Sequence, residues 1–124
     1  SSSASVGILQ ALAISGAIGL ESAVFVLFGQ NIGTCVTALL ASAGTNRNAK
    51  RTTLIHFMFN LIGTVLFTVI CLVTPLIDYM KQWFEAPAMQ IANMHTIFNI
   101  TTTIILLPLI IPYWIISCTC GIDW

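Results

Sequence analysis

A dense group of polar side chains and glycines interrupts the middle of the apolar stretch 23–44. In chain order its members are Gly29, Gln30, Asn31, Gly33, Thr34 and Thr37. Because glycine weakens a helix, we predict a break at Gly29 and Gly33. Backbone N–H groups freed at a break suit an oxyanion, while freed carbonyls and the amide and hydroxyl oxygens suit a hard cation such as sodium. The pattern fits a joint anion and cation site, and equally a polar contact between two helices.

Composition fixes the class of protein that holds this group. Of the 124 residues, 57% are hydrophobic and only 6% are charged, and four basic side chains balance four acidic ones. Soluble domains carry roughly 25% charged residues, a nucleic-acid-binding protein needs a basic face, and a disordered chain is poor in aliphatic residues. We therefore predict an all-α, polytopic membrane protein with no nucleic-acid partner.

No catalytic motif accompanies the polar groups. The sequence has no H-E-x-x-H, no G-x-S-x-G and no P-loop, the patterns that hold zinc, a nucleophilic serine or a nucleotide phosphate. We expect no enzyme, no cofactor and no transition-metal site.

Charged residues divide the chain into segments. A first segment 1–22 and a discontinuous transmembrane helix 23–44 precede a basic loop 45–52, a transmembrane helix 53–77, a loop or interfacial helix 78–92, a transmembrane helix 93–117 and a tail 118–124. Arg47, Lys50 and Arg51 fall in one loop, so the positive-inside rule places residues 45–52 in the cytoplasm and residues 78–92 outside. Within the last helix, Pro108 and Pro112 predict a kink or a break.

Three serines open the chain, without a methionine, as at a cut or cleaved end. The apolar stretch between them and Glu21 spans only residues 4–20, about 25 Å as a helix, against a bilayer core about 30 Å thick. A tilted helix therefore places Ser1, Ser2 and Ser3 inside the membrane, where hydroxyls are costly unless they line a wet or protein-filled cavity. The alternatives are a polar chain end and an ordinary helix-packing surface.

A histidine motif occurs twice. Residues 56–60 and 95–99 share the form H-x-x-F-N, and His56 with Asn60, like His95 with Asn99, lies on one helix face. We favour contacts between helices over ligation or a proton relay for these four residues. By the predicted topology the two copies run in opposite directions, which hints at an inverted-repeat transporter.

Together these motifs resemble a known family. Ser1-Ser2-Ser3-Ala4, then Asn31-Ile32-Gly33-Thr34 with Thr37, then the motif at 56–60, are similar to the type II sodium-phosphate cotransporter family in its bacterial branch. The family signature is Q-S-S-S followed by G-x-N-I-G-T. Residues 92–99 resemble its later A-x-x-H-T-x-F-N, and the resemblance covers about residues 1–108.

The resemblance implies a fold and a function. In that family the serine motif lies at the tip of a re-entrant hairpin and faces a second, inverted copy, so segment 1–22 becomes one arm of such a hairpin. Ser1, Ser2 and Ser3 would bind phosphate and sodium. Asn31 and Thr34, with Thr37, would add oxygens and backbone groups at the helix break. The implied function is sodium-coupled symport of inorganic phosphate, with sodium as the coupling ion.

The resemblance also sets expectations about partners and location. The chain carries one serine motif, so we expect about one repeat of a multi-pass transporter in the plasma membrane, paired with a second repeat or with another copy of itself. Gln30 stands where the family usually has a small residue, and residues 109–124 match no family motif. An alternative is a remnant repeat that transports nothing and instead packs with a partner or senses phosphate.

Overall fold

The computed structural model describes residues 2–119, and the side chains of residues 3–109, 111 and 112 within them. Five helices make up this part: α1 (Ser2–Ile14), α2 (Leu20–Ser42), α3 (Arg47–Val73), α4 (Leu76–Trp83) and α5 (Pro87–Thr119). Three stretches are long and apolar enough to cross a membrane, namely Leu20–Ser42, Arg47–Val73 and Pro87–Leu109. The predicted class, an all-α membrane protein, is confirmed. Ser1 and residues 120–124 of the predicted tail lie outside the described residues.

Helix α1 is too short to span. Its 13 residues extend about 20 Å, against a hydrocarbon core of about 30 Å. The chain leaves it through a turn at Gly16, whose φ of 75° suits glycine because no Cβ clashes there. The Gln10 amide donates to the Ala88 carbonyl at 3.0 Å, so the C-terminal half of α1 lies beside the start of α5.

Helix α2 is continuous, and the predicted break at Gly29 and Gly33 is therefore wrong. Each glycine costs a helix only about 1 kcal/mol. Buried residues on both sides of the pair, from Ala23 to Cys35, hold one face of the helix against the bundle. Packing of that face outweighs the weak intrinsic propensity at the two glycines.

Most of the predicted basic loop, residues 45–52, is helical in the structure. Asn46 caps α3 by accepting a hydrogen bond from the Ala49 N–H at 2.9 Å. Such a cap satisfies an otherwise free N–H of the first turn and is worth about 1 kcal/mol. Consequently Arg47, Lys50 and Arg51 lie in the first turns of α3, and the predicted loop 45–52 shortens to residues 43–46.

Segment 78–92 also divides differently from the prediction. The short helix α4 occupies its first part, where Tyr79 and Trp83 stack with ring centroids 5.9 Å apart. Helix α5 then begins at Pro87, six residues before the predicted start at 93. Proline suits the first turn of a helix because it has no N–H to satisfy there. The α5 backbone stays helical through Pro108 and Pro112, so the predicted interruption does not end the helix.

The core lies where α2, α3 and α5 meet. The rings of Phe28, Phe67 and Phe98 are fully buried, and their centroids lie 5.1–6.0 Å apart, a favourable range for aromatic pairs. One helical turn away, α3 and α5 pack tightly at Gly63 and Thr102, where a Cβ on the glycine would lie 2.7 Å from Thr102 Cγ2. These contacts set the antiparallel register of α3 and α5.

An ion pair joins two helices at one end of the bundle. Lys81 Nζ of α4 donates to Glu21 Oε1 of α2 at 2.9 Å, and Asp78 Oδ1 lies 3.7 Å from the same nitrogen. Glu21 and α4 therefore share one end of the bundle, while the loop between α2 and α3 lies at the other. The hydrogen bond to Glu21 raises the pKa of Lys81 above its ordinary value of 10.5, and the charges of Glu21 and Asp78 act in the same direction.

This ion pair predicts a weak dependence of stability on pH. Since the folded-state pKa of Lys81 is raised, its stabilising effect is complete below the unfolded-state pKa and disappears as pH rises through the folded value. Because both side chains are exposed, we expect a small effect. Thermal unfolding of wild type and Glu21→Gln should differ slightly at pH 7 and converge once the pH exceeds the raised pKa of Lys81. Glu85→Gln, at the same end, is the control, and a difference that does not shrink as the pH rises past 10.5, the ordinary lysine pKa, contradicts the prediction.

Candidate functional site

The N-terminal end of α1 lies against the middle of α2. The Gln30 amide donates to the Ser5 carbonyl at 3.4 Å, which joins the two helices. Gln30 is ten residues into α2, or about 15 Å along the helix axis. That is half of a hydrocarbon core about 30 Å thick. The serine end of α1 and the polar group of α2 therefore meet near mid-depth.

Two amide atoms in this place are buried without a partner. Asn31 is only 8% exposed. Among the described residues, neither its Nδ2 nor Gln30 Oε1 has a hydrogen-bond partner. An unpaired buried polar atom costs about 1–3 kcal/mol, and native proteins nearly always satisfy such atoms. One donor and one acceptor are thus available here to a ligand or to further protein.

The hydroxyl groups of Thr34 and Thr37 donate hydrogen bonds within α2, and their oxygens can still accept. The Thr34 hydroxyl donates to the Gln30 carbonyl at 2.8 Å, and the Thr37 hydroxyl donates to the Thr34 carbonyl at 2.8 Å. A hydroxyl that donates its one hydrogen keeps lone pairs on oxygen. Both side chains can therefore still ligate a cation. Thr34 is half-buried and Thr37 is exposed.

Backbone groups contribute less to this site than the sequence predicts. Because α2 is helical throughout, the N–H and C=O groups around Gly29 and Gly33 stay in the helical hydrogen-bond ladder. The oxyanion and cation ligands predicted from a helix break are therefore not released here. Side chains remain the available ligands on α2.

The serine run is described only in part. Ser1 lies outside the described residues, and of Ser2 only the backbone, in the first turn of α1, is described. Ser3 is exposed on the same turn. The contact of Ser5 with Gln30 brings this end of α1 to the polar group of α2.

A sulfur–imidazole contact connects α2 to α3 beside this group. Cys35 Sγ lies 3.6 Å from Nε2 and 3.7 Å from Nδ1 of His56, and the thiol donates to the Asn31 carbonyl at 3.2 Å. His56 thus makes a contact between helices, as its residue type suggested. Sequence reasoning missed the role of Cys35, for which spacing gave no signal because its partner lies on another helix.

Each of the two H-x-x-F-N motifs makes the same hydrogen bond within its own helix. Asn60 Nδ2 donates to the His56 carbonyl at 3.0 Å, and Asn99 Nδ2 donates to the His95 carbonyl at 2.8 Å. These amide nitrogens are therefore satisfied within their own helices. Seven residues after each histidine stand Gly63 and Thr102, which contact each other.

The site carries no formal charge of its own. Within residues 2–119, every Asp, Glu, Lys and Arg lies near one of the two ends of the bundle. Glu21, Asp78, Lys81 and Glu85 are at one end, and Arg47, Lys50 and Arg51 are at the other. The polar group at mid-depth is made of amides and hydroxyls. A ligand that enters with a net charge must bring its own counter-ion, because an unpaired buried charge is strongly unfavourable.

One face of α2 beside the site is open. Gly29 and Gly33 are exposed, and a Cβ built on either would meet no atom within 4 Å in the described part. Small residues four apart allow close approach of a second membrane helix. The site is therefore bounded by α1 and α3 and open on this face of α2.

Fold and site together define an all-α membrane protein with an uncharged polar site at mid-depth. Comparison adds partial similarity to known proteins. "Uncharacterized protein YqeW" of Bacillus subtilis is 38% identical over 109 residues, which cover 88% of this chain and 35% of that protein. Sodium-dependent phosphate transport protein 2C of Rattus norvegicus is 37% identical over 98 residues, covering 76% of this chain and 16% of that protein.

The human protein of the same name matches a shorter part. Sodium-dependent phosphate transport protein 2C of Homo sapiens is 46% identical over 56 residues, or 42% of this chain and 9% of that protein. The chain spans about a third of the Bacillus subtilis relative and about a sixth of the rat one. No family model matches the chain, and no solved structure matches it. The family resemblance is thus supported over part of the chain.

Proposed function

We propose that this chain is about one repeat of a sodium-coupled symporter that moves inorganic phosphate across the plasma membrane. The observation that carries the proposal is the contact of the serine end of α1 with Gln30 near mid-depth, where Gln30 Oε1 and the neighbouring Asn31 Nδ2 are buried without a partner among the described residues. Partial similarity to proteins named sodium-dependent phosphate transporters supports the choice of ligands.

The donors and acceptors of the site divide between the two ions. Asn31 Nδ2, which donates to no described atom, and the hydroxyls of Ser1, Ser2 and Ser3 supply hydrogen bonds to phosphate oxygens. Thr34 and Thr37, whose hydrogens are engaged within α2, offer oxygen lone pairs to sodium together with Gln30 Oε1. Hard cations prefer such oxygen ligands.

Coupling follows from the absence of charge near the site in the described part of the chain. Phosphate is an anion, and its transfer from water to an uncharged site at mid-depth is costly without a compensating charge. Sodium bound beside it lowers that cost. Neither ion then binds well alone, so the sodium gradient drives phosphate accumulation. Differential binding of this kind is a coupling free energy between two ligands and is reciprocal.

The open face of α2 provides room for the other half of the site. In transporters with inverted repeats, ligands bind at the interface between the repeats. A second repeat, or a second copy of this chain, packs against Gly29 and Gly33 and encloses the ions. The basic first turns of α3 then face the cytoplasm by the positive-inside rule.

Uptake into proteoliposomes tests the function. The complete protein, reconstituted in sealed vesicles, should accumulate radioactive phosphate when an inward sodium gradient is applied, and uptake should fall to background when choline replaces sodium. Equal uptake in sodium and choline would overturn the coupling. No uptake by protein shown to be folded and inserted would overturn transport and favour the non-transporting module.

A further inference from the structure

An apolar cavity lies away from the polar site, in a groove between α3 and α5. Its volume is about 330 Å³, and its wall is almost entirely apolar. Leu54, Met58 and Ile62 of α3 form one side, and Leu106 and Leu109 of α5 form the other. The volume is at the low end for pockets that bind small molecules. It suits one apolar chain rather than a bulky ligand.

The groove opens beside the basic end of α3. Arg51, Leu54, Met58 and Ile62 follow one another at intervals of three or four residues, so they form one stripe along the helix. Exposed Lys50 is adjacent to Arg51 in the first turns of α3. Leu54 is thus only about 5 Å along the axis from Arg51. The cationic residues therefore lie within about one helical turn of the apolar wall.

The apolar wall and the nearby cationic residues match the two parts of one kind of ligand. We propose that the groove binds an acyl chain of an anionic phospholipid, whose phosphate lies against Lys50 and Arg51. The apolar wall removes the chain from contact with other lipids, and the cationic side chains select a negatively charged headgroup. A neutral lipid would gain only the first of these interactions. Basic segments next to membrane helices are known to attract anionic lipids.

The groove is separate from the proposed transport site. All of its lining residues belong to α3 and α5, whereas the polar site is built on α1 and α2. Lipid binding can therefore be tested by a readout that does not require transport. Failure of one proposal leaves the other in place.

Lipid retention by the complete protein tests this inference. The protein is purified from vesicles of phosphatidylcholine and phosphatidylglycerol in equal amounts, and native mass spectrometry counts the lipid that stays bound. We expect phosphatidylglycerol to be retained in preference to phosphatidylcholine. Lys50→Gln should weaken that retention about fivefold, since one basic residue near a membrane surface contributes about that factor.

A filled groove should exclude the lipid. Met58→Trp places a large side chain into the groove, whereas Val69→Trp makes the same kind of change on a part of α3 that is exposed outside it. Retention should fall several-fold in the first variant and stay unchanged in the second. Equal retention of both lipids, no effect of Lys50→Gln, or equal losses in the two tryptophan variants would each overturn the proposal. Lys50→Gln keeps the test valid if Met58→Trp does not fold.

Discussion

Asn31→Ala should reduce sodium-dependent phosphate uptake by about ten- to a hundredfold in the complete protein. The side chain is buried, and its Nδ2 donates to no atom in the described part of the chain. In the proposed complex it donates to a phosphate oxygen. A hydrogen bond to a charged group is worth about 1.5–3 kcal/mol. At about 1.4 kcal/mol per factor of ten, its loss weakens phosphate binding about ten- to a hundredfold, and uptake at low phosphate concentration should fall by the same factor.

Initial rates of uptake at low phosphate concentration measure this effect. Asn93→Ala is the matched control, because the Asn93 amide donates to the Met89 carbonyl of its own helix at 2.8 Å and lies outside the site. The control should transport like wild type. Unchanged uptake by Asn31→Ala would mean that the unpartnered amide contacts another part of the protein and not the substrate.

Gly63→Leu should lower the free energy of unfolding by about 3 kcal/mol. A Cβ at this position would lie 2.7 Å from Thr102 Cγ2, 3.0 Å from Thr102 Oγ1 and 3.1 Å from Phe98 Cζ. Overpacking of a filled contact costs roughly 1–3 kcal/mol, and the leucine is the larger insertion. Gly63→Ala should lower the free energy of unfolding by only about 1 kcal/mol. The added Cβ also overpacks the contact, but the higher helix propensity of alanine offsets about 1 kcal/mol of that cost.

A double variant identifies the clash as the cause. Thr102→Ala removes both atoms nearest to the added Cβ, and Thr102 Oγ1 has no hydrogen-bond partner among the described residues. Gly63→Ala combined with Thr102→Ala should therefore recover most of the stability that Gly63→Ala loses alone. Gly44→Ala is the control, since its Cβ would meet no described atom within 4 Å. Unfolding in a detergent titration, followed by circular dichroism, gives all four values, and equal losses at Gly44 and Gly63 would contradict the packing explanation.

The position of α1 combines what sequence could and could not supply. Length alone indicated that the apolar stretch before Glu21 is slightly shorter than a bilayer core, and the structure gives a helix of 13 residues there. Its neighbours were not predictable, since the contacts of Gln10 with Ala88 and of Gln30 with Ser5 join residues 78 and 25 positions apart. Such contacts depend on how the helices pack and not on local spacing.

The course of α2 shows how packing can overrule a local pattern. Two glycines and two amide side chains in five residues read as a helix break, yet the helix continues because its buried face is fixed on both sides of them. The polar residues of the candidate site lie on α2, which is one continuous helix. The consequence for chemistry changed, since side chains and not freed backbone groups are left to bind ions.

Sequence alone determined the membrane class, the all-α fold and the approximate positions of the three span-length helices. These properties depend on composition and on the length of apolar runs, which are local and independent of packing. Tertiary structure alone decided which polar atoms lie buried without partners, which face of α2 stays open, and which residues meet across helices, as Cys35 meets His56 and Gly63 meets Thr102. These properties depend on the rotation and register of each helix against its neighbours. Because side chains from different helices fix that geometry jointly, no single segment encodes it.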